Sequence, residues 1–175
     1  MVMNAFARRV AMIGWLALSA CLATSAVAGD GMAGATLRDP DGNQVGTVSL
    51  RETPNGLLLH ARLVGLPPGT HAFHLHETGV CEPPFKSAGG HFNPDDSAHG
   101  FLVEDGPHAG DMPNIHVPDG GTLEFEVLTL AAALKPDLLD DDGAAVVIHE
   151  GADDYESQPS GAAGPRIACG VIDAD

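Results

Sequence analysis

Five of the chain's nine histidines stand inside one thirty-residue stretch, HAFHLHETGVCEPPFKSAGGHFNPDDSAHG, from His71 to Gly100. Imidazole can act as a base, a hydrogen-bonding group or a metal ligand. Spacing has to decide among these. His74, His76, His91, His99, His108 and Asp111 follow one another at intervals of 2, 15, 8, 9 and 3, and His149 comes 38 residues later in an apolar run. Residues two apart on a strand share a face, so His74 and His76 can approach one ion together. Imidazole suits copper and zinc, and a single carboxylate can join it on zinc; calcium and magnesium want more oxygens. Taken alone, each residue has an ordinary reading: His60 and His116 as surface histidines, Asp111 as a turn residue, Arg166 as a surface cation. The coincidence of so many donors is what points to metal.

The elements around these donors read as strands and turns. From Ala35 to His76, runs rich in Val, Leu and Thr alternate with the turn signals PDGN, PNG and PPG, as in a meander of antiparallel strands. GTLEFEVLTL, from Gly121 to Leu130, begins with strict alternation, and AAVVIHE, from Ala144 to Glu150, suits a short buried strand. TLAAALKPDLL fits a brief helix or an irregular crossover. Regular strand spacing without a long helical pattern predicts an all-β sandwich or barrel. Between Glu77 and Asp111 the periodicity disappears. A loop of about 35 residues in a compact domain usually serves function or is disordered. This one is too polar to order itself, and metal tying its side chains together would account for it.

The first 28 residues read as an export signal: Arg8 and Arg9, an apolar stretch from Val10 to Ala23, and AVA before Gly29. A second reading is a lipobox, LSAC, that would leave a lipid anchor at Cys21. The apolar run is too short to span a bilayer, so no transmembrane segment is expected. Beyond Ala28 the chain carries six basic and 24 acidic side chains, a net charge of −18 with histidines neutral. That balance excludes nucleic acid and anionic lipid surfaces as partners. In an oxidising compartment the two remaining cysteines, Cys81 and Cys169, are expected to form one disulfide. The H-x-H pair alone does not choose a family. The chain is too short for an amidohydrolase barrel of roughly 250 residues, and Glu77 stands too close to the pair for the usual cupin pattern.

Five blocks in order, FHLHETGVC, SAGGHFNPDDSAHG, PHAGDMPN, VVIHEGADD and GAAGPRIACGVI, resemble the signature segments of the Cu,Zn superoxide dismutases, in particular the exported bacterial branch. The resemblance runs from about Gly34 to the C-terminus. It implies a flattened Greek-key β-barrel of immunoglobulin-like architecture, with long metal-binding and electrostatic loops, over residues 29–175. It also implies one copper and one zinc per subunit. Copper would be held by His74, His76, His91 and His149, and zinc by His91, His99, His108 and Asp111, with His91 as the bridge. Asp153 would link His74 and His99, Cys81 would pair with Cys169, and Arg166 would stand beside the copper channel.

The implied activity is dismutation of superoxide, a small anion, to dioxygen and hydrogen peroxide by redox cycling of copper next to zinc, in the periplasm. A different class of protein, a periplasmic copper or zinc buffer without turnover, would use the same ligands but would need neither Arg166 nor a shared His91. Whether the chain acts as a monomer or a homodimer stays open. Two departures from the pattern matter. Ala72 stands where the family usually has glycine, which is expected to crowd the strand. The loop GADDYESQPSGAAG lacks the charged residues that many members use for steering, which leaves that task to Arg166, with Lys86 as a second contributor.

Overall fold

The computed structural model describes residues 31–129 and 132–175. The export signal and its alternative at Cys21 lie outside them. Among the described residues nine strands form: β1 (Met32–Arg38), β2 (Gln44–Thr53), β3 (Gly56–Leu63), β4 (Gly69–His71), β5 (Phe73–His76), β6 (Ile115–Val117), β7 (Leu123–Thr129), β8 (Ala145–His149) and β9 (Arg166–Ala174). Seven join in one antiparallel sheet in the order β5-β8-β9-β1-β2-β3-β7, and β4 pairs with β6. The sheet curls round its core into a Greek-key β-barrel, as the resemblance implies.

Alternation builds the barrel wall. Along β3, Leu57, Leu59, Ala61 and Leu63 are fully buried in the core, while His60 and Arg62 turn outward to Glu124 on β7, at 2.9 and 3.0 Å. A one-residue slip would exchange these faces, so the pattern fixes the register. The adjoining β2 repeats it with Val48 and Leu50 inward.

β5 and β8 differ, because all their residues are buried. Phe73, Leu75, Val146 and Ile148 face the core. Ala145 and Val147, on the other face of β8, pack with Phe85, Ala88 and Cys169 in a second, smaller apolar cluster. The disulfide between Cys81 and Cys169 closes the start of the long loop onto β9. The loop also covers the edge of β5: Leu75 N–H donates to Gly110 O, and Phe92 N–H donates to Leu75 O, both at 2.9 Å. Gly110 permits this approach, since a Cβ there would collide with the Leu75 carbonyl and with Phe92.

β4 and β5 are one run of chain that changes partner at Ala72, from β6 to β8. Ala72 is fully buried, its N–H donates to Gly151 O and its carbonyl accepts from His149 N–H, so the expected crowding is absorbed without loss of pairing. The segment that reads as a helix or a crossover is the latter. Leu134–Leu138 makes a single turn closed by Leu139 N–H to Leu134 O, with Lys135 extended inside it.

Candidate metal centre

Two strands and one long loop bring the donors together. β5 presents His74 and His76 on the face away from the core, β8 ends on His149, and the loop after β5 returns at His91, which pairs with His76 across an isolated bridge. His99, His108 and Asp111 follow on the same loop, and Asp111 pairs with His74. All seven are buried.

They fall into two groups, His74, His76, His91 and His149, and His91, His99, His108 and Asp111. Within each group, donor atoms lie within 4.8 Å of one another. His91 belongs to both.

The hydrogen bonds behind the rings explain which nitrogen each presents. His74 Nε2 meets Asp153 Oδ2 at 2.8 Å, His76 Nδ1 meets Gly89 O at 3.1 Å, and His149 Nδ1 meets Gly164 O at 3.1 Å. His99 Nε2 meets Asp153 Oδ1 at 3.0 Å. Each acceptor takes the ring's N–H and fixes the tautomer, leaving a bare nitrogen turned inward. Those inward atoms, His74 Nδ1, His76 Nε2 and His149 Nε2 in one group and His99 Nδ1 in the other, are buried without a hydrogen-bond partner, as is His91 Nε2. Buried polar atoms without partners are costly and rare, and five converging lone pairs are what a metal site requires. His91 has no backing acceptor outside the cluster among the described residues. Its Nδ1 faces Asp111 Oδ1 at 2.7 Å and His108 Nδ1 at 3.4 Å, so both of its nitrogens point at donor groups.

The electrostatics agree with neutral rings around a fixed negative charge. Burial pushes His74 down to about 4 and His149 to about 3, and drives His76 well below the ordinary histidine value. Burial also lowers His108, with Asp111 opposing it. For Asp153 burial acts upward, but hydrogen bonds from His74, His99 and the Tyr155 N–H outweigh it and hold the carboxyl at about 2. Asp111 is held low in the same way, by His91 and the Gly100 N–H. Copper and zinc fit what is here: four imidazoles in one group, three imidazoles and a carboxylate in the other.

Arg166, half-buried, donates to Phe85 O and Gly89 O, both at 2.6 Å. Gly89 O also accepts from His76, so the guanidinium is anchored one carbonyl away from the His76 ring. Lys86 follows Phe85 in the same turn and is exposed. His60 and His116 stay on the barrel's outside with Glu124 and Thr70, away from both groups.

Three further residues, none of them assigned a role by the sequence, support the site. His71 is buried beneath His149, its two ring nitrogens against His149 O and Pro67 O at 2.9 and 2.8 Å. Asn114 and Tyr155 brace Asp153 from the sides.

The chain matches the family model described as copper/zinc superoxide dismutase over residues 44–172. It is 48% identical over 165 residues to "Superoxide dismutase [Cu-Zn] 2" of Aquifex aeolicus, covering 91% of this chain and 96% of that one. It is 43% identical over 145 residues to "Superoxide dismutase [Cu-Zn]" of Caulobacter vibrioides, covering 79% and 83%. Among solved structures, a SOD-like protein from Bacillus subtilis superposes with a TM-score of 0.76 at 39% identity, over 79% of this chain and 96% of that one. Sequence and fold agree over the same core, and the chain belongs to the copper/zinc superoxide dismutase family.

Proposed function

We propose that this protein dismutes superoxide to dioxygen and hydrogen peroxide, with one copper held by His74, His76, His91 and His149 and one zinc held by His91, His99, His108 and Asp111. The observation that carries the reading is the pair of buried four-donor groups sharing one ring. Copper supplies one-electron redox chemistry when bound, and zinc, which has none, supplies fixed charge and geometry.

The chain's own residues do the rest. Asp153 and the carbonyls of Gly89 and Gly164 hold four rings in one tautomer, so the donor set is formed before substrate arrives. His91 is the ring that can carry a proton, because, unlike those four rings, it has neither nitrogen held by an acceptor outside the donor groups among the described residues. Taking one proton there and releasing it to the reduced substrate supplies half of the two protons that two superoxides need to become dioxygen and peroxide. Water supplies the other. Arg166 binds the incoming anion, and its two carbonyl anchors give a fixed direction that a lysine would not. A metal buffer has no use for that cation. We also read residues 1–28 as an export signal and the periplasm as the destination, supported by the Cys81–Cys169 disulfide.

The test is superoxide decay with protein loaded with both metals. Metal-dependent acceleration far above spontaneous decay is expected. Tight copper binding with no acceleration would leave a buffering module in its place.

A further inference from the structure

We propose that Asn114 and Tyr155 are positioning residues that aim the Asp153 carboxylate at both donor groups, and that they thereby tie zinc affinity to the order of the loop over the copper group. The proposal rests on the metal assignment above. Asp153 reaches His74 with one oxygen and His99 with the other, at 2.8 and 3.0 Å. It lies on an irregular loop between β8 and β9, where no strand pairing fixes its backbone.

Asn114 supplies that missing fixation. Its Oδ1 accepts from Asp153 N–H at 2.8 Å and its Nδ2 donates to Asp153 O at 2.9 Å, which imitates a strand bridge with a side chain. Asparagine is suited to this because it carries one acceptor and one donor group on a short stem. Asn114 is held in turn, since its own N–H donates to the Tyr155 hydroxyl at 2.8 Å. Tyr155 N–H then donates to Asp153 Oδ1 at 2.6 Å, closing a ring of contacts around the carboxylate.

Tyr155 adopts φ +64°, a left-handed conformation rare for an aromatic residue unless its surroundings enforce it. Its ring packs against that of Phe101, with centroids 5.4 Å apart and planes tilted by 53°, and its carbonyl accepts from Leu102 N–H at 3.1 Å. Gly100, beside His99, packs against that carbonyl where a Cβ would not fit. Asn114 itself stands three residues after Asp111. The zinc group is thus joined to Asp153 by routes through both His99 and Asp111. Neither Asn114 nor Tyr155 offers an atom to either donor group.

Tyr155→Phe removes one hydroxyl acceptor and keeps the ring, while Asn114→Asp replaces the donor that faces Asp153 O with an acceptor. The holoprotein variants are compared by competition with a zinc chelator, by the visible spectrum of cobalt(II) exchanged into the zinc group, and by hydrogen exchange at 153–161. Thr70→Val, which removes a hydrogen bond outside the loops, is the control. Supporting residues around metal ligands typically contribute about 10- to 100-fold in affinity. Tyr155→Phe should lower zinc affinity by about 10-fold, shift the cobalt spectrum and speed exchange in that loop. If Asn114→Asp does not fold, Tyr155→Phe decides alone. A lower melting temperature with unchanged zinc affinity and an unchanged cobalt spectrum overturns the proposal. A wild-type protein that takes up no cobalt overturns the metal assignment instead.

Discussion

The outer face of β2, β3 and β7 carries Ser49, His60, Arg62, Glu124 and Glu126 and is turned to water, whereas that of β5 and β8 carries His74, His76, Val147 and His149 under two loops. Both belong to the same sheet and share its core. The open half rests on alternation: Ser49, His60, Arg62, Glu124 and Glu126 turn outward, and Leu57, Leu59 and Leu63 are buried inside. The covered half places polar rings where water does not reach and leaves five ring nitrogens without partners. Burial of that kind makes sense only with ions present, so one half is stable by its fold and the other by its fold plus its cofactors.

The sharpest way to break this contrast is to remove a histidine from each half. His91→Ala takes the shared ring from both groups, and we expect activity to fall by orders of magnitude and the two metals to bind independently. His60→Ala and His116→Ala should leave metal content and rate unchanged. Equal losses in all three would erase the distinction.

Chelation combined with reduction of the Cys81–Cys169 bond should separate the halves next. The bond closes 88 positions of chain, a constraint of about 4–5 kcal/mol on a loop-entropy estimate. In the apo, reduced protein, hydrogen exchange should rise across 77–111 well before β1, β2 and β3 lose protection. Loop protection equal to that of the holoprotein would contradict the account.

Acid should act on the same half. His74 at about 4 and His149 at about 3, both lowered first by burial, bind protons less readily folded than unfolded. Their contribution to apo stability is therefore complete above about 6.5, the ordinary histidine value, and is lost as pH falls from there toward 3. Asp153, held at about 2, adds a further loss at lower pH, as it protonates between the ordinary carboxylate value of 3.8 and its own. Urea midpoints of the apo protein should fall from pH 7 to 4. A flat profile would mean that these rings are hydrated after all.

Charge gives a smaller effect. A chain with 24 acidic side chains should repel superoxide at long range, while Arg166, anchored near the His76 ring, should attract it locally. Salt screens exposed charge over about 8–10 Å and a recessed cation less. The structure fixes Arg166 by two carbonyls in a half-buried position, so the local field should prevail. Added salt should slow the wild type, and Arg166→Glu should lower the rate several-fold and weaken or reverse the salt dependence. A wild-type rate that rises with salt, shared by Arg166→Glu, would assign control to the global charge.

The open half was the more legible in sequence. In β7, Leu123, Phe125 and Val127 pack on the core and alternate with exposed Glu124, Glu126 and Leu128, and a period of two is a local signal. The blocks that carry these histidines were also legible, because their order resembles a known family, and the structure brings the same residues together in two buried groups. What could not be read is the support. The clamp of Asn114 on Asp153 joins residues 39 positions apart with no periodicity between them. The break of the β4–β5 run at Ala72 depends on which strand each half pairs with, and β6, at three residues, is too short to leave a pattern.

Anomalous X-ray scattering from a crystal of the metal-loaded protein, collected on either side of the copper and zinc absorption edges, tests the central claim most directly. Two ions are expected, copper among His74, His76, His91 and His149 and zinc among His91, His99, His108 and Asp111, with the His91 ring bound through one nitrogen to each. A single ion, exchanged positions, or a His91 ring that touches only one metal would contradict it.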